Sequence, residues 1–597
     1  MTQTILTQCF LQAMQRHIAS PTTQTRRLIE RLIGKFEPAN FFEIDAHQNT
    51  ILHHAFLLPN HFYQNENDNL CAGLKNELYQ LIMECVKDNH AAKAYLLTSM
   101  NRKGFTVLHC ILQKNCFAPL SGYLFELQSL VNQNYLTPEQ YIAVLTSPNQ
   151  GGFTPLHCVL QTGHIEKTAL YFDALQDAIN NNYMPIDKYA TLLTSVNSGG
   201  FNPFHQVLKS GVIDNMIKYI RTVEQAFKQN ALSTEQFESI LTTSTFEGFN
   251  PLHQLLLSGN CEIFNVYYRI IRGFVDAGVL SNQKFVDLIV SVTRNKSSTL
   301  HQAVLSRNYD LLSYYLHVLK WLLREEIINL SDYQNLLTKP NQEGFTPLQE
   351  GLITGDLNII YLYITTLEQE VQGGTLSTKQ FASSLIQKNN AGFSPLQQIL
   401  ANCYSDDVLD LYLKTLRKNI AYGFVTAEQY TNLLLEKTSL GYTCLHTILK
   451  YNNLSTIKIY FDALKQDLTD GLLTKLDYHV FLLQQDPNGH NPLALLTYRG
   501  DLEIIEYFVY EMESTFSKES MHQLILDHKK DCLSLSRKSP LANGRAINHF
   551  FETKRIEYSS LHSHRLMSDL FSRVTQSILT SENTTVDSVV NFILNDA

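Results

Sequence analysis

The chain is 597 residues long, 44% hydrophobic and 17% charged, with a formal net charge of −9. That hydrophobic content can supply a continuous core, and the acidic balance gives no overall basic field to draw in nucleic acid. No stretch approaches the roughly 18 uninterrupted apolar residues of a membrane span, and ten scattered cysteines without a C-x-x-C pair suit a reducing compartment better than a disulfide framework or a zinc site.

Residues 1–44 are expected to form an N-terminal helical cap. Met1 to Ser20 has no basic start leading into an apolar core, so no cleaved secretory signal is expected. Thr25 to Phe36 sets Leu28, Ile29, Leu32 and Ile33 at helical spacing beside Arg26, Arg27, Arg31 and Lys35, which predicts an amphipathic helix with a polar outer face.

From about residue 45 to residue 510 one phrase keeps returning. Gly152-Phe153-Thr154-Pro155-Leu156-His157 is echoed at Gly104 to His109, Gly200 to His205 and Gly248 to His253, and less closely at Gly344 to Gln349, Gly392 to Gln397 and Gly441 to His446. Taking the residue before the His as anchor, the series is Leu52, Leu108, Leu156, Phe204, Leu252, Leu300, Leu348, Leu396, Leu445 and Leu493. Its spacings are 56, six of 48, then 49 and 48. A fixed period of this size predicts stacked units and an extended surface rather than one pocket.

Each unit is punctuated. Thr154 can cap a helix through its hydroxyl, and Pro155 has a preset φ and no N–H to orphan. Seven residues past the anchor, Gly163, Gly211, Gly259, Gly355 and Gly500 suit a helix end that needs positive φ. Fifteen past the anchor a second helix should bury an aromatic: Tyr123, Tyr171, Tyr219, Tyr267, Tyr315, Tyr363, Tyr460 and Phe508. Capping-type openings at Thr137, Ser233, Ser377 and Thr426 precede i, i+4 apolar pairs such as Tyr141/Leu145, Phe237/Leu241 and Phe381/Leu385, which predict a third helix in every unit.

These features resemble the ankyrin repeat, whose pattern of Gly, one variable residue, Thr-Pro-Leu-His and a downstream Gly-His is matched by Gly152 to His157 with Gly163-His164. The resemblance covers ten units and implies an all-α, ankyrin-like solenoid. An ordinary ankyrin unit is about 33 residues, which leaves roughly fifteen here for the third helix. The family usually places two small residues where this chain has Val159-Leu160, Val207-Leu208, Leu255-Leu256 and Ile399-Leu400, so neighbouring first helices should stand further apart. The unit anchored at Leu300 has lost Gly-Phe and Pro, reading Lys296-Ser297-Ser298-Thr299, and an irregular joint is expected there.

No catalytic or metal-ligating residue and no cofactor is assigned. The recurring His53, His109, His157, His205, His253, His301 and His446 are replaced at equivalent positions by Gln349, Gln397 and Ala494, which fits structural hydrogen bonding rather than acid–base chemistry. His562-Ser563-His564 lacks zinc-motif spacing. The residue after each repeat His lies, in ankyrin proteins, towards the concave partner-binding face. The resemblance therefore implies a water-facing binding row centred on Gln206, Gln254 and Gln302, with Glu350 and Gln398, able to hydrogen-bond an extended partner. The alternative is a row of solvated residues without a role. Phe105, Phe153, Phe201, Phe249, Phe345, Phe393 and Tyr442 form a ladder that either packs between units or lies open as a strip.

From 511 to 597 the register is lost, and helical patterns there predict a helical cap or small module. Residues 528–565 carry eight basic and three acidic residues. Lys529, Lys530, Arg537 and Lys538 make this segment the candidate for an anionic membrane surface. The expected function is a non-enzymatic protein-binding scaffold of a reducing cytoplasm. Long, divergent arrays of this kind resemble proteins that intracellular bacterial pathogens deliver into host cells, which implies a host-protein partner and export without a cleaved signal. The alternative is a substrate dock joined to a C-terminal enzymatic or anionic-lipid-binding module. Nucleic acid and a transmembrane segment are not expected.

Overall fold

Helix punctuation decides the local structure. The Thr154 hydroxyl accepts the His157 N–H, Pro155 begins the helix Pro155–Thr162, and Gly163 ends it at φ +74°. The same logic sets Pro203–Ser210, Pro251–Ser258 and Pro347–Thr354, each closed by a left-handed glycine. A 16-residue second helix follows, as in Ile165–Asn180, Ile213–Lys228, Cys261–Asp276 and Leu357–Gln372. The expected third helices form at Pro138–Thr146, Thr234–Thr242, Thr378–Ile386 and Ala427–Leu435, each opened by a capping box from Thr137, Ser233, Ser377 or Thr426.

The computed structural model describes residues 5–19, 21–57, 68–113, 118–402, 406–487, 489, 491–518, 520, 521, 524 and 544–559. Among them the protein is all-α, with two isolated β-bridges, Met100 with Thr106 and Val292 with Ser298. The described residues divide between two compact units, 1–328 and 329–597.

In the first unit, Ile51–Leu57, Val107–Gln113, Pro155–Thr162, Pro203–Ser210, Pro251–Ser258 and Thr299–Leu305 each pack on the next. Ile5–Ala19 and Thr23–Ile33 pack on one another and both on Asp68–Cys85, and Ile5–Ala19 also packs on Ile51–Leu57; Ile29 and Ile33 are buried and Leu28 is exposed. In the second unit Pro347–Thr354, Pro395–Asn402, Cys444–Tyr451 and Pro492–Arg499 pack consecutively in the same way.

The aromatic of each second helix is core. Tyr123, Tyr171, Tyr219, Tyr267, Tyr315, Tyr363 and Tyr460 are at most 2% exposed. Several also act as clips: the Tyr171, Tyr219 and Tyr363 hydroxyls donate to the carbonyls of Leu145, Leu193 and Leu337 at 2.6, 3.0 and 2.7 Å. Those carbonyls lie in the last turn of the preceding third helix, where no intrahelical donor reaches them. Tyr412 fills this role towards Leu385 and stands one place later than periodicity predicts, because the unit between Leu396 and Leu445 is one residue longer.

The turn before Leu300 is regular, contrary to expectation. Lys296 adopts φ +57° where most other units have glycine and the first has Gln48 at φ +61°, Lys296 N–H donates to Thr293 O at 2.8 Å, and Ser298 caps Thr299–Leu305 with a capping box. A lysine tolerates the left-handed region at modest cost, and serine replaces the usual threonine as cap.

Candidate partner-binding surface

The surface is built from the turn that precedes each first helix. Asn149 Oδ1 accepts the N–H groups of Gly151 and Phe153 at 2.9 and 3.1 Å, and Asn149 N–H donates to Phe153 O at 3.0 Å. Asn197, Asn341 and Asn389 close their turns through the same pair of side-chain bonds. Successive turns are joined through the backbone: Gln150 N–H to Lys103 O at 3.0 Å, Ser198 N–H to Gly151 O at 2.9 Å and Phe246 N–H to Gly199 O at 3.1 Å. This close stacking makes glycine necessary twice over at Gly152, whose φ is +74° and whose missing Cβ would lie 2.8 Å from Asn197 Cα.

Behind each turn sits the repeat histidine. The Thr154 hydroxyl meets His157 Nδ1 at 2.8 Å, and Nε2 donates to Phe201 O, in the next turn, at 3.1 Å. His53, His109 and His205 reach Phe105, Phe153 and Phe249 carbonyls in the same way at 2.9 to 3.2 Å. Burial holds the pKa of His53, His109, His157, His205 and His253 down to about 4, so these rings are neutral at neutral pH. Gln349 keeps the near half of the arrangement and changes the far half: Oε1 accepts the Thr346 N–H at 2.8 Å, and Nε2 donates at 2.6 Å to the O of Gln387, which ends the third helix Thr378–Ile386, rather than to the next turn. Gln397 does likewise towards Ser394 and Glu436.

The row of polar side chains expected to face water does not do so. Gln206, Gln302 and Gln398 are 3, 4 and 6% exposed, and Gln254 and Glu350 are half-buried. The reason is local. A first helix of about two turns is flanked by other first helices, backed by a second helix and covered in front by its own turn, so its fourth residue falls beneath that turn. Asn341 Nδ2 donates to Glu350 Oε1 at 3.0 Å, and Gln398 Nε2 is 3.5 Å from Phe393 O. Burial and the neighbouring Glu343 push the Glu350 carboxyl up to about 7, with the Asn341 amide opposing them.

What faces outward is the rim of the turns and the exposed side of the first helices. The Phe105, Phe153, Phe201, Phe249, Phe345, Phe393 and Tyr442 rings are half-buried, so the ladder is both packing and surface. Phe153 meets His157 edge-on at 6.0 Å, and Phe105 meets His109 at 5.8 Å. Between two consecutive turns lies an open groove of about 310 Å³ lined by Lys103, Phe105, Gln113, Asn149, Gln150, Gly151, Phe153 and Gln161. Gln113 and Gln161 sit three residues beyond the predicted row, at Cys110 and Cys158, which rotates them almost a full turn onwards and clear of the covering turn. Helix phase alone does not place that cover.

Lys529, Lys530, Arg537 and Lys538, and the His562-Ser563-His564 positions, lie outside the described residues. Among the described residues no cluster of His, Cys, Asp and Glu could hold a metal ion, and no helix is long and apolar enough to cross a membrane. Neither a family model nor a curated protein matches this chain.

Proposed function

We propose that this chain is an ankyrin-type solenoid and a non-enzymatic protein-binding scaffold, gripping an extended segment of its partner along the stacked turns and first helices. The observation that carries the reading is the groove between the Phe105 and Phe153 turns, where half-buried rings alternate with the exposed amides of Gln113, Gln150 and Gln161. Aromatic edges give apolar contact at low entropic cost, while amides both donate to and accept from a peptide backbone. The consecutive packing of first helices and the recurring left-handed glycines support the solenoid part of the reading. The resemblance to effectors of intracellular bacteria extends the proposal to a host-protein partner.

A photo-crosslinking side chain at Gln161 should trap a discrete partner from host-cell lysate, and the same group at exposed Gln176 on a second helix should not. Equal trapping at both positions would remove the groove from the proposal. Once the partner is known, Gln113→Ala combined with Gln161→Ala should weaken it by about 1–3 kcal/mol, at 0.5–1.5 kcal/mol for each neutral hydrogen bond.

A further inference from the structure

A second surface lies on the second helices of the first unit, away from the turns. Tyr268, Arg272 and Asp276 on Cys261–Asp276, with Tyr314, His317 and Trp321 on Tyr309–Arg324, line an open cavity of about 430 Å³. The Arg272 guanidinium carbon lies 5.3 Å from the centre of the Trp321 ring and 5.5 Å from that of Phe285. One of its nitrogens donates to Asp276 at 2.9 Å, a carboxylate that is itself 64% exposed. Tyr314 is held in place by its hydroxyl bond to Asn265 at 3.2 Å and by an edge contact with Phe264 at 5.4 Å. Trp321 remains 39% exposed.

A guanidinium has five N–H donors in a rigid plane, and its place over two rings restrains it before any ligand arrives. Asp276 is an exposed partner of the kind worth little to stability and readily exchanged. Three aromatic walls and a carboxylate would by themselves suit a cationic ligand, but Arg272 already occupies the indole face and repels one. We propose that this cavity binds a carboxylate carried beside a planar apolar group. The carboxylate pairs with Arg272 in place of Asp276, and the planar group lies against Tyr268, Tyr314 and the open part of Trp321.

Trp321 is the single tryptophan of the chain, so the full-length protein reports on this cavity through its own fluorescence. Benzoate should give a saturable change with a Kd of about 1–10 mM, the range open to so small an acid. N-acetylphenylalanine binding tighter than benzoate would identify the source as a peptide C-terminus, and benzoate binding tighter would identify it as a free aromatic acid. Arg272→Gln should lose at least tenfold in affinity while keeping its helical circular dichroism. Asp276→Asn, which removes the competing carboxylate, should bind at least twofold tighter and gives a test independent of Arg272. Benzylammonium binding as well as benzoate, unchanged affinity in Arg272→Gln, failure of Asp276→Asn to bind tighter, or no saturable response to either acid would each overturn the assignment.

Discussion

His157→Gln should cost less than His157→Leu, because Gln349 and Gln397 stand at the same position, keep the bond to their own turn and donate to a third-helix carbonyl, Gln387 or Glu436, in place of the next turn. His157→Leu should cost about 2–4 kcal/mol in urea unfolding, since it leaves a buried Thr154 hydroxyl and the Phe201 carbonyl without that partner. Acid should act through the same rings. Their pKa is about 4 when folded against an ordinary 6.5, so between these values the unfolded chain binds protons that the folded chain refuses. Stability should therefore fall as pH drops from 6.5 towards 4, by up to about 1.4 kcal/mol per pH unit for each ring, measurable as a falling Tm. Glu350 has the opposite sign. Its carboxyl stays protonated to about 7 when folded against 4.5 in the unfolded chain, so its contribution declines as pH rises between them. Glu350→Gln should raise stability by about 1–3 kcal/mol at pH 8 and change it little at pH 4.

Among the elements, the third helix is tested by Phe237, which is 1% exposed and sits between Phe227 at 4.8 Å and Phe274, in the next repeat, at 5.0 Å. Phe237→Ala should cost about 3–5 kcal/mol. This helix was legible in sequence because caps and i, i+4 pairs are side-chain signals. The stacking of turns was not, because it runs through backbone N–H and carbonyl groups that any residue carries. Its trace is glycine alone, and glycine also marks ordinary helix ends. Gly200 and Gly278 separate the two meanings: both have φ above +70°, yet a Cβ at Gly200 would meet Phe246 N at 2.7 Å and one at Gly278 meets nothing within 4 Å. Gly278→Ala should cost only about 1–2 kcal/mol, the left-handed penalty, and Gly200→Ala measurably more. The burial of Gln206 and Gln302 was illegible for a related reason, since each lies beneath its own turn and between neighbouring first helices, which helix phase does not register. The Tyr268, Tyr314 and Trp321 cavity left no sequence signal because its walls occupy unlike positions in two repeats, where periodicity is silent.

For the molecule as a whole, residues 1–328 should fold as a separate fragment, retaining helical circular dichroism and a cooperative melt, since they form a compact unit of their own. Loss of helicity in that fragment would show that its stability is borrowed from residues 329–597. Within the fragment the tyrosine clips give the series a direction under load. Each is donated by the later repeat to the third helix of the earlier one, as Tyr219 is to Leu193. Tension applied at the C-terminal end removes the donor first and uncovers the last turn of the repeat behind it, so that repeat becomes the next to yield. Drawn out this way, the chain should lengthen in discrete increments of one 48-residue period, about 160–170 Å of extended polypeptide each. Tyr171→Phe and Tyr219→Phe, which keep the rings and delete the clips, should lower the force of their own steps while leaving the step length unchanged.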